Sequence, residues 1–483
     1  ANYHQKIQKR GEGMNHIKTD ICVIGGGSGG LSVAAGAVQM GAKVVLLEGH
    51  KMGGDCLNYG CVPSKSLIAA GKHAHAMTTG APFGVTPVVA DVDYGAAKDH
   101  VAAVIKGIEP HDSVERFQGL GVNVISEYGK FISATQVQAG DNIITARRFV
   151  ISTGSSPFVP PIPGLDKVPY YTNENIFGLK TRPDHLIIIG GGPIGMELAQ
   201  AHVRLGSKVT VLEGLKALGR DDPEMAAIAL GRLRGEGIEI VEGALASEVT
   251  GKDGTIAVHT KDGQTYKGTH LLMAVGRKPN VDRLDLDAAG IEPTRGGIKV
   301  DASMKTTNKR VYAIGDVAAG LQFTHVAGYH AGVVIKSALF GLPSKQKTAH
   351  IPWATYIDPE MAQVGLTEIQ AQEKYGDGLT VVRAEYADND RARAELVTTG
   401  LVKVMVVKGR PVGASIVGAS AGELIQIWAL ALANNLKMSA IAGMVVPYPT
   451  LGEVNKRAAS AYFTPKIFDS PLVKRVVRLV QRF

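Results

Sequence analysis

A glycine-rich unit that occurs twice at a fixed spacing constrains this chain of 483 residues more than any other feature. In the first copy, an apolar run at residues 20–24 leads into a G-x-G-x-x-G turn, a helix-like stretch and a second apolar run that ends at Glu48. Glycines in such a turn let the backbone approach a pyrophosphate at a helix N-terminus, and the acid can bond a ribose hydroxyl. The same order recurs 165 residues later and ends at Glu213, which predicts two dinucleotide-binding domains. The pattern glycines are Gly25, Gly27 and Gly30 in the first copy and Gly190, Gly192 and Gly195 in the second.

Two of the three cysteines in the chain, Cys56 and Cys61, lie directly after the first copy. In a regular helix, residues at this spacing would have Cα atoms roughly 8–9 Å apart, whereas a disulfide needs about 4.4–6.8 Å. The chain between them must therefore tighten or unwind if they pair, and Gly60 permits that. A loop this short restrains little of the unfolded chain, so thiol–disulfide exchange explains the pair better than a structural disulfide does. A zinc site is a third alternative, with only His73 and His75 as further ligands nearby.

The two copies flank the cysteine pair, which indicates an electron path between two bound nucleotides. We place a flavin nucleotide on the first copy, because the cysteines follow it directly, and a nicotinamide nucleotide on the second. Glu213 favours NADH over NADPH, since a carboxylate there accepts a hydrogen bond from the ribose 2′-hydroxyl and repels a 2′-phosphate. Lys216 and Arg220 lie just beyond it and soften this preference.

Composition limits the compartment and the class of partner. Hydrophobic residues make up 45% of the chain and the mean hydropathy is +0.07, as expected of a soluble globular protein. The sequence contains no apolar run of about 18 residues, so no transmembrane helix is predicted. Residues 1–20 lack the apolar centre of a secretory signal. Three cysteines are too few for an extracellular disulfide scaffold, which favours the cytoplasm. The basic residues behind the net charge of +8 are dispersed until the last dozen positions, so the charge does not indicate nucleic-acid binding.

Six motifs in this chain resemble those of the flavoprotein disulfide reductases, the family of dihydrolipoamide dehydrogenase, glutathione reductase and mercuric reductase. The resemblance covers residues 18–465. It implies tightly bound FAD, NAD(P)H as the reductant, and a homodimer in which the C-terminal domain of each subunit completes the active site of its partner. The motifs are Gly25–Gly30, Cys56–Lys65, Gly190–Glu213, Ala274–Asn280, Ala313–Asp316 and Pro449–Glu453.

The resemblance also implies roles for single residues. Cys61 would be the thiol in charge-transfer contact with the flavin, and Cys56 the interchange thiol that meets the substrate. Lys65 would pair with Glu197 near the reactive edge of the flavin, and Asp316 would hold the ribityl chain. The other residues assigned to the cofactors are the pattern glycines, Glu48, Gly54, Thr153, Gly154, Glu213, Gly276, Arg277 and Gly315.

The chain departs from the family near its C-terminal motif. Members that reduce lipoyl or glutathione disulfides carry a histidine as acid–base catalyst where this chain has Tyr448, and no histidine follows His350. Tyr448 and Glu453 are therefore expected to replace the usual His–Glu pair across the subunit contact, although Tyr448 is also explained by packing at that contact. A tyrosine resembles the mercuric reductase branch, which also uses a C-terminal cysteine pair, and no cysteine follows Cys61 here.

Three functions follow, in order of preference. The first is an FAD-dependent, NADH-linked oxidoreductase that reduces a small disulfide, like dihydrolipoamide dehydrogenase. The second is a mercuric or other metal-ion reductase that acts through the Cys56 and Cys61 thiols, without a resident metal. The third is a membrane-peripheral electron-transfer flavoprotein whose acceptor is another protein.

The predicted fold class is α/β, with two Rossmann-like domains and a C-terminal α+β dimerisation domain. The FAD-binding domain spans residues 1–155 and continues at 281–350, and the NAD(P)-binding domain spans 156–280. Residues 351–483 form the dimerisation domain. Residues 472–483 are expected to form a basic amphipathic helix, because Lys474, Arg475, Arg478 and Arg482 fall on one side at helical spacing. Its apolar side, which includes Phe483, either packs on the protein itself, as we favour, or docks on an anionic membrane or an acidic partner.

Overall fold

The structure is a computed structural model that describes residues 14–482. The predicted start of the first domain at residue 1, most of the polar segment at residues 1–20 and the placement of Phe483 lie outside these residues. Among the residues that are described, no helix has the length and apolar character needed to cross a bilayer.

The first glycine-rich unit belongs to a seven-stranded sheet whose central strands are parallel and buried. The main path runs β3-β2-β1-β6-β5-β4, and a strand from far along the chain, β18, pairs with β6. Strands buried on both faces consist of near-continuous apolar runs, as the sequence of β2 and the second half of β1 illustrate. The strands are β1 (Asn15–Ile24), β2 (Val44–Leu47), β3 (Asn123–Ile125), β4 (Lys130–Ser133), β5 (Gln136–Ala139), β6 (Asn142–Ile151) and β18 (Val311–Ala313).

Helices cover this sheet and carry the two cysteines. Helix α1 follows the glycine turn and packs against α8, which comes from the segment after β18. Helices α2 and α3 lie at the cysteine motif, and α3 packs against α4. The helices are α1 (Ser28–Gln39), α2 (Gly54–Asn58), α3 (Cys61–Thr78), α4 (Tyr94–Ile108), α5 (Val114–Gly119) and α8 (Thr324–Phe340).

The second unit forms a four-stranded parallel sheet in the order β10-β9-β8-β14, with a three-stranded antiparallel sheet, β11-β12-β13, beside it. The chain enters and leaves this unit through one short antiparallel pair, β7 with β15. The strands are β7 (Ser155–Pro157), β8 (His185–Ile189), β9 (Lys208–Glu213), β10 (Glu239–Glu242), β11 (Ala246–Lys252), β12 (Thr255–Thr260), β13 (Thr265–Gly268), β14 (His270–Met273) and β15 (Arg277–Pro279). The helices are α6 (Pro193–Arg204) and α7 (Pro223–Gly235), and a two-stranded ribbon of β16 (Pro293–Thr294) and β17 (Gly297–Ile298) follows.

The last part of the chain is a five-stranded antiparallel sheet, β19-β20-β23-β22-β21, with short helices against it. Its strands are β19 (Pro352–Thr355), β20 (Glu360–Gly365), β21 (Leu379–Glu385), β22 (Leu401–Val407) and β23 (Arg410–Gly418). Its helices are α9 (Glu368–Tyr375), α10 (Asp390–Ala394), α11 (Ala421–Leu424), α12 (Gln426–Ala433), α13 (Met438–Ala442), α14 (Glu453–Ala461), α15 (Thr464–Phe468) and α16 (Pro471–Val480). The predicted class, with two Rossmann-like units and an α+β unit, is confirmed.

A buried ion cluster fixes the last sheet to the second unit. Lys403 on β22 has a side chain only 2% exposed, and its Nζ lies 2.8 Å from Asp222 and 2.7 Å from both Glu224 and Glu368. A buried cation is tolerated only when paired in this way. The cluster therefore holds α7, α9 and β22 in one arrangement.

The helix predicted at residues 472–483 is present as α16, from Pro471 to Val480, but it does not pack on the rest of its own chain. Its packing on a second subunit stays a prediction. No side chain of α16 is buried, and its apolar residues face solvent in the single chain. The helical spacing of the apolar residues predicted the element correctly and gave no information about what covers it.

Candidate active site

One cavity of about 1120 Å³ unites most of the predicted site residues. Its wall is built by the first glycine turn, the cysteine helices, the β7–β15 crossing, the start of α6 and the first strand of the last sheet. The predicted residues on this wall are Gly25, Gly27, Glu48, Gly54, Cys56, Cys61, Lys65, Thr153, Gly154, Glu197, Arg277, Gly315 and Asp316. The predicted residues away from it are Gly30, Gly190, Gly192, Gly195, Glu213, Gly276, Tyr448 and Glu453.

The first glycine turn leaves a space that a side chain would fill. Gly25 has φ +108°, and a Cβ on Gly30 would lie 1.9 Å from the Gly25 carbonyl oxygen. Those two glycines are required by the protein's own backbone. Gly27 has an ordinary φ of −81°, and a Cβ there would meet only the Gly54 Cα, at 3.9 Å. The open side of Gly27, at the N-terminus of α1, fits the pyrophosphate of a dinucleotide.

The second turn repeats the first closely. A Cβ on Gly195 would lie 2.1 Å from the Gly190 carbonyl oxygen, and a Cβ on Gly192 would have no neighbour within 4 Å. The acids at the strand ends also match. Glu48 accepts hydrogen bonds from the backbone N–H groups of Gly26 and His50 at 2.6 and 2.7 Å. Glu213 accepts from those of Gly191 and Leu215 at 2.7 and 2.8 Å. Each carboxylate is thus fixed beside its own turn.

The two cysteines lie on either side of a helix break, as their spacing required. Helix α2 ends at Asn58 and α3 begins at Cys61, with Tyr59 and Gly60 between them. A Cβ on Gly60 would lie 3.1 Å from the carbonyl oxygen of Asp55, a tight contact that the absence of a side chain avoids. Both cysteines are free thiols in this structure, and Cys61 is the more exposed of the two.

The surroundings of the two thiols favour the negative charge of the pair on Cys61. A hydrogen bond from the Cys56 thiol lowers the pKa of Cys61 to about 6, although burial opposes this. The hydroxyl of Thr324, 3.6 Å from the Cys61 Sγ, and the charge of Lys65 lower the same pKa further. The pKa of Cys56 is raised, first by its hydrogen bond to Cys61 and then by burial. Cys61 therefore carries the thiolate and Cys56 the proton, and the thiolate is the reactive form.

Lys65 and Glu197 form an ion pair on the same wall. The Lys65 Nζ on α3 lies 2.6 Å from the Glu197 carboxylate on α6, whose side chain is 7% exposed. The other carboxylate oxygen of Glu197 accepts the backbone N–H of Tyr356 at 2.8 Å. Lys65 also lies 4.6 Å from the centre of the Tyr356 ring. Sequence reasoning missed Tyr356, because it follows β19 in a region without any motif.

Arg277 and Asp316 meet at the β7–β15 crossing. The Ser155 hydroxyl donates to Asp316 at 2.6 Å and accepts from Arg277 at 2.7 Å. Arg277 also forms an ion pair of 3.1 Å with Asp55, next to the first cysteine. Burial raises the pKa of the Asp316 carboxyl, while the Ser155 hydrogen bond and the Arg277 charge oppose the increase. The entry and exit strands of the second unit thus position polar groups in the cavity of the first.

Tyr448 and Glu453 lie apart from the cysteines within one chain. Tyr448 is 70% exposed, and its hydroxyl donates to Asp390 at 3.2 Å. That hydrogen bond raises the pKa of Tyr448, and Glu453 accepts the backbone N–H of Thr450 at 3.4 Å. Their expected contact with a partner subunit stays a prediction.

Two histidines on the cavity wall, His50 and His325, were missed, because neither belongs to a sequence motif. His325 lines the cavity next to Thr324, and its Nε2 lies 2.7 Å from the Pro352 carbonyl oxygen. That contact requires a proton on Nε2, so this nitrogen is a donor to the backbone. Within residues 14–482, no three His, Cys, Asp or Glu side chains converge as metal ligands.

Comparison with known proteins gives consistent matches over most of the chain. The family described as pyridine nucleotide-disulphide oxidoreductase matches residues 19–331, and the dimerisation domain of that family matches residues 351–459. A mercuric reductase from Bacillus cereus is 36% identical over 92% of this chain and 71% of its own length. A dihydrolipoyl dehydrogenase from Geobacillus stearothermophilus is 34% identical over 92% of this chain and 96% of its own.

Solved structures give the same picture. The Cu(II) complex of the HOCl-induced flavoprotein disulfide reductase RclA from Escherichia coli superposes with a TM-score of 0.83 and 28% identity, over 91% of this chain and 99% of that one. LpdA from Mycobacterium tuberculosis superposes with a TM-score of 0.85 and 26% identity, over 92% of this chain and 99% of its own.

The two open glycines give a matched pair of variants. Gly27→Ala should leave the fold intact and lower the content of nucleotide that copurifies with the protein, because the methyl group enters the space at the first turn. Gly192→Ala should retain that nucleotide and raise the KM for the pyridine nucleotide about tenfold or more, a loss of about 1.4 kcal/mol. Absorbance of the purified variants and steady-state kinetics check this. Normal nucleotide content and KM in both variants would contradict the assignment of the two turns.

Proposed function

Since the chain belongs to the pyridine nucleotide-disulphide oxidoreductase family, we propose that it transfers electrons from NADH through FAD to a Cys56–Cys61 disulfide, and from there to a small disulfide acceptor. The family uses FAD and NAD(P)H, so the chain is an FAD-dependent oxidoreductase. The matched dimerisation domain supports a homodimer. The observation that carries the proposal is the thiol pair with its charge on Cys61, beside the Lys65–Glu197 pair on one cavity wall.

The residues of the cavity fit FAD. The open turn at Gly27 suits its pyrophosphate, Glu48 suits an adenosine ribose, and Asp316 is available to the ribityl chain, with Arg277 and Ser155 around it. When bound, FAD accepts two electrons from a pyridine nucleotide and passes them to a disulfide. Lys65 places a fixed positive charge on the wall beside Cys61, which stabilises the thiolate that forms there.

The cysteines then carry out disulfide exchange. Two electrons break the Cys56–Cys61 bond, leaving the Cys61 thiolate and, after uptake of one proton, the Cys56 thiol. Once Cys56 loses this proton, it attacks a sulfur of the acceptor, forms a mixed disulfide and releases one thiolate. Cys61 attacks Cys56, re-forms the disulfide and releases the second thiolate. The sum is NADH, one proton and one disulfide giving NAD⁺ and two thiols.

A metal-ion reductase is the second candidate. The observation that favours it is the 36% identity to a mercuric reductase, together with two adjacent thiols on a cavity wall. In that reaction NADH reduces Hg²⁺ to metallic mercury and releases NAD⁺ and a proton. This candidate would be favoured if NADH consumption required Hg²⁺ and were faster with Hg²⁺ than with every disulfide tested. The Hg²⁺-dependent consumption should also be lost in Cys56→Ser.

Replacement of each cysteine separately tests the roles of the two thiols. After anaerobic reduction with NADH, Cys61→Ser should lack the long-wavelength absorbance of a thiolate against flavin, and Cys56→Ser should retain it. In the wild type, the thiolate is the form present above its pKa. The absorbance should therefore fade as the pH falls through about 6. Loss of the band in both variants, or in neither, contradicts the assignment.

Coenzyme preference tests the role of Glu213. The kcat/KM for NADH should exceed that for NADPH about tenfold or more, because the carboxylate repels a 2′-phosphate. Glu213→Gln should lower the ratio of kcat/KM for NADH to kcat/KM for NADPH. Glu48→Gln, the equivalent change in the first copy, is the matched control and should leave the ratio of the two coenzymes unchanged. An equal or higher kcat/KM with NADPH in the wild type would show the preference to be wrong.

The acid–base prediction concerns Tyr448. A group whose pKa is raised above that of free tyrosine donates a proton but is a poor base near neutral pH. General acid–base catalysis typically contributes about 10²–10⁴-fold. Turnover with dihydrolipoamide should therefore be slow, and Tyr448→His should raise it at least about tenfold.

Tyr448→Phe is the matched variant, because it removes only the hydroxyl. It should lower the remaining activity if the phenol donates a proton. Unchanged turnover in both variants would assign Tyr448 to packing at the subunit contact.

A further inference from the structure

Helix α16 places its charged and its apolar side chains on opposite sides. At 3.6 residues per turn, its cations fall within roughly 120° and its apolar side chains fill the opposite side. The cations are Lys474, Arg475 and Arg478, with Arg482 just beyond the helix, and the apolar residues are Leu472, Val473, Val476, Val477, Leu479 and Val480. The helix begins at a defined point, since the Ser470 hydroxyl accepts the backbone N–H of Val473 at 3.3 Å.

The apolar side of α16 has no cover in the single chain. Leu472 is 68% exposed and Val480 60% exposed, and no residue of the helix is buried. The preceding helix α15 adds two more exposed apolar side chains, Ile467 and Phe468. A helix of ten residues is marginal in water without a partner, so a second surface is needed to hold it.

The charges indicate which kind of surface that is. No Asp or Glu lies between Ser470 and Arg482, so the helix presents only positive charge. A bilayer with anionic headgroups supplies both an apolar layer and negative charge, which suits a helix of this pattern.

We propose that α16 lies in the interface of an anionic membrane surface, with its apolar side in the lipid and its cations among the headgroups. At 1.5 Å per residue the helix is about 15 Å long, too short to span the hydrocarbon core and long enough to lie along its edge. A contact of this size is reversible. The inference is independent of the electron acceptor, because α16 contributes no residue to the cavity wall.

Flotation of the full-length holoenzyme with vesicles tests the proposal. Binding is expected to vesicles that contain phosphatidylserine at roughly a third of the lipid, to weaken as salt rises, and to be much weaker with pure phosphatidylcholine. Each cation near a charged bilayer contributes about fivefold to binding, so Arg475→Gln with Arg478→Gln should weaken it about 25-fold. Val476→Ser with Val480→Ser should also weaken it.

The matched control is Lys261→Gln with Lys267→Gln, which removes the same charge from exposed positions of the second unit. This control should bind vesicles like the wild type. If the control binds vesicles as weakly as the α16 charge variant does, the loss of binding is explained by net charge alone and the proposal is wrong. So would absence of binding at low salt, or equal binding to neutral and anionic vesicles.

Deletion of residues 470–483 distinguishes a membrane contact of the apolar side from a contact with the second subunit. The proposal expects the deleted protein to keep its dimer mass, flavin content and NADH-dependent activity while losing vesicle binding. Dissociation into monomers, measured by light scattering, would assign the apolar side to the second copy and would contradict the membrane proposal.

Discussion

The carboxylate of Glu197 connects three parts of the chain at one point, and the geometry of the redox site depends on it. One oxygen binds Lys65 from the cysteine helix, and the other accepts the backbone N–H of Tyr356 from the last sheet. Glu197 itself lies on the helix of the second glycine-rich unit. A nearly buried carboxylate without these partners would carry a large desolvation cost. The two contacts therefore favour a single relative position of the two nucleotide turns and the thiols.

The thiol pair adds a second constraint, because the surroundings of its two sulfurs give Cys56 and Cys61 different pKa values. The helix break at Tyr59 and Gly60 brings the thiols together, and the absence of a side chain at Gly60 avoids a tight contact with Asp55. Lys65 lies one helical turn beyond Cys61, which places its charge nearer to that thiol than to Cys56. The reduced pair therefore rests with the thiolate on Cys61 and the proton on Cys56, and Cys56 must lose that proton before it can attack an acceptor.

The parts of this molecule that sequence predicted are those whose cause is local. The glycine turns, the strand-end acids and the interrupted cysteine helix each follow from a segment of about 24 residues or fewer. The contacts of Tyr356 and the Ser155–Arg277–Asp316 arrangement join residues more than 100 positions apart. No spacing rule encodes such contacts, so the roles of Arg277 and Asp316 came from family resemblance and Tyr356 was missed. The exposure of α16 has the same origin: periodicity specifies a two-sided helix, and the neighbouring surface decides whether it is covered.

The central claim is that electrons from NADH reach the Cys56–Cys61 pair, and counting thiols tests it directly. The chain has three cysteines, of which Cys22 is buried in a strand of the first sheet. Denatured under anaerobic conditions, the oxidised enzyme should release one reactive thiol per chain, and the NADH-reduced enzyme should release three. Three thiols before reduction, or one thiol after it, would contradict the account.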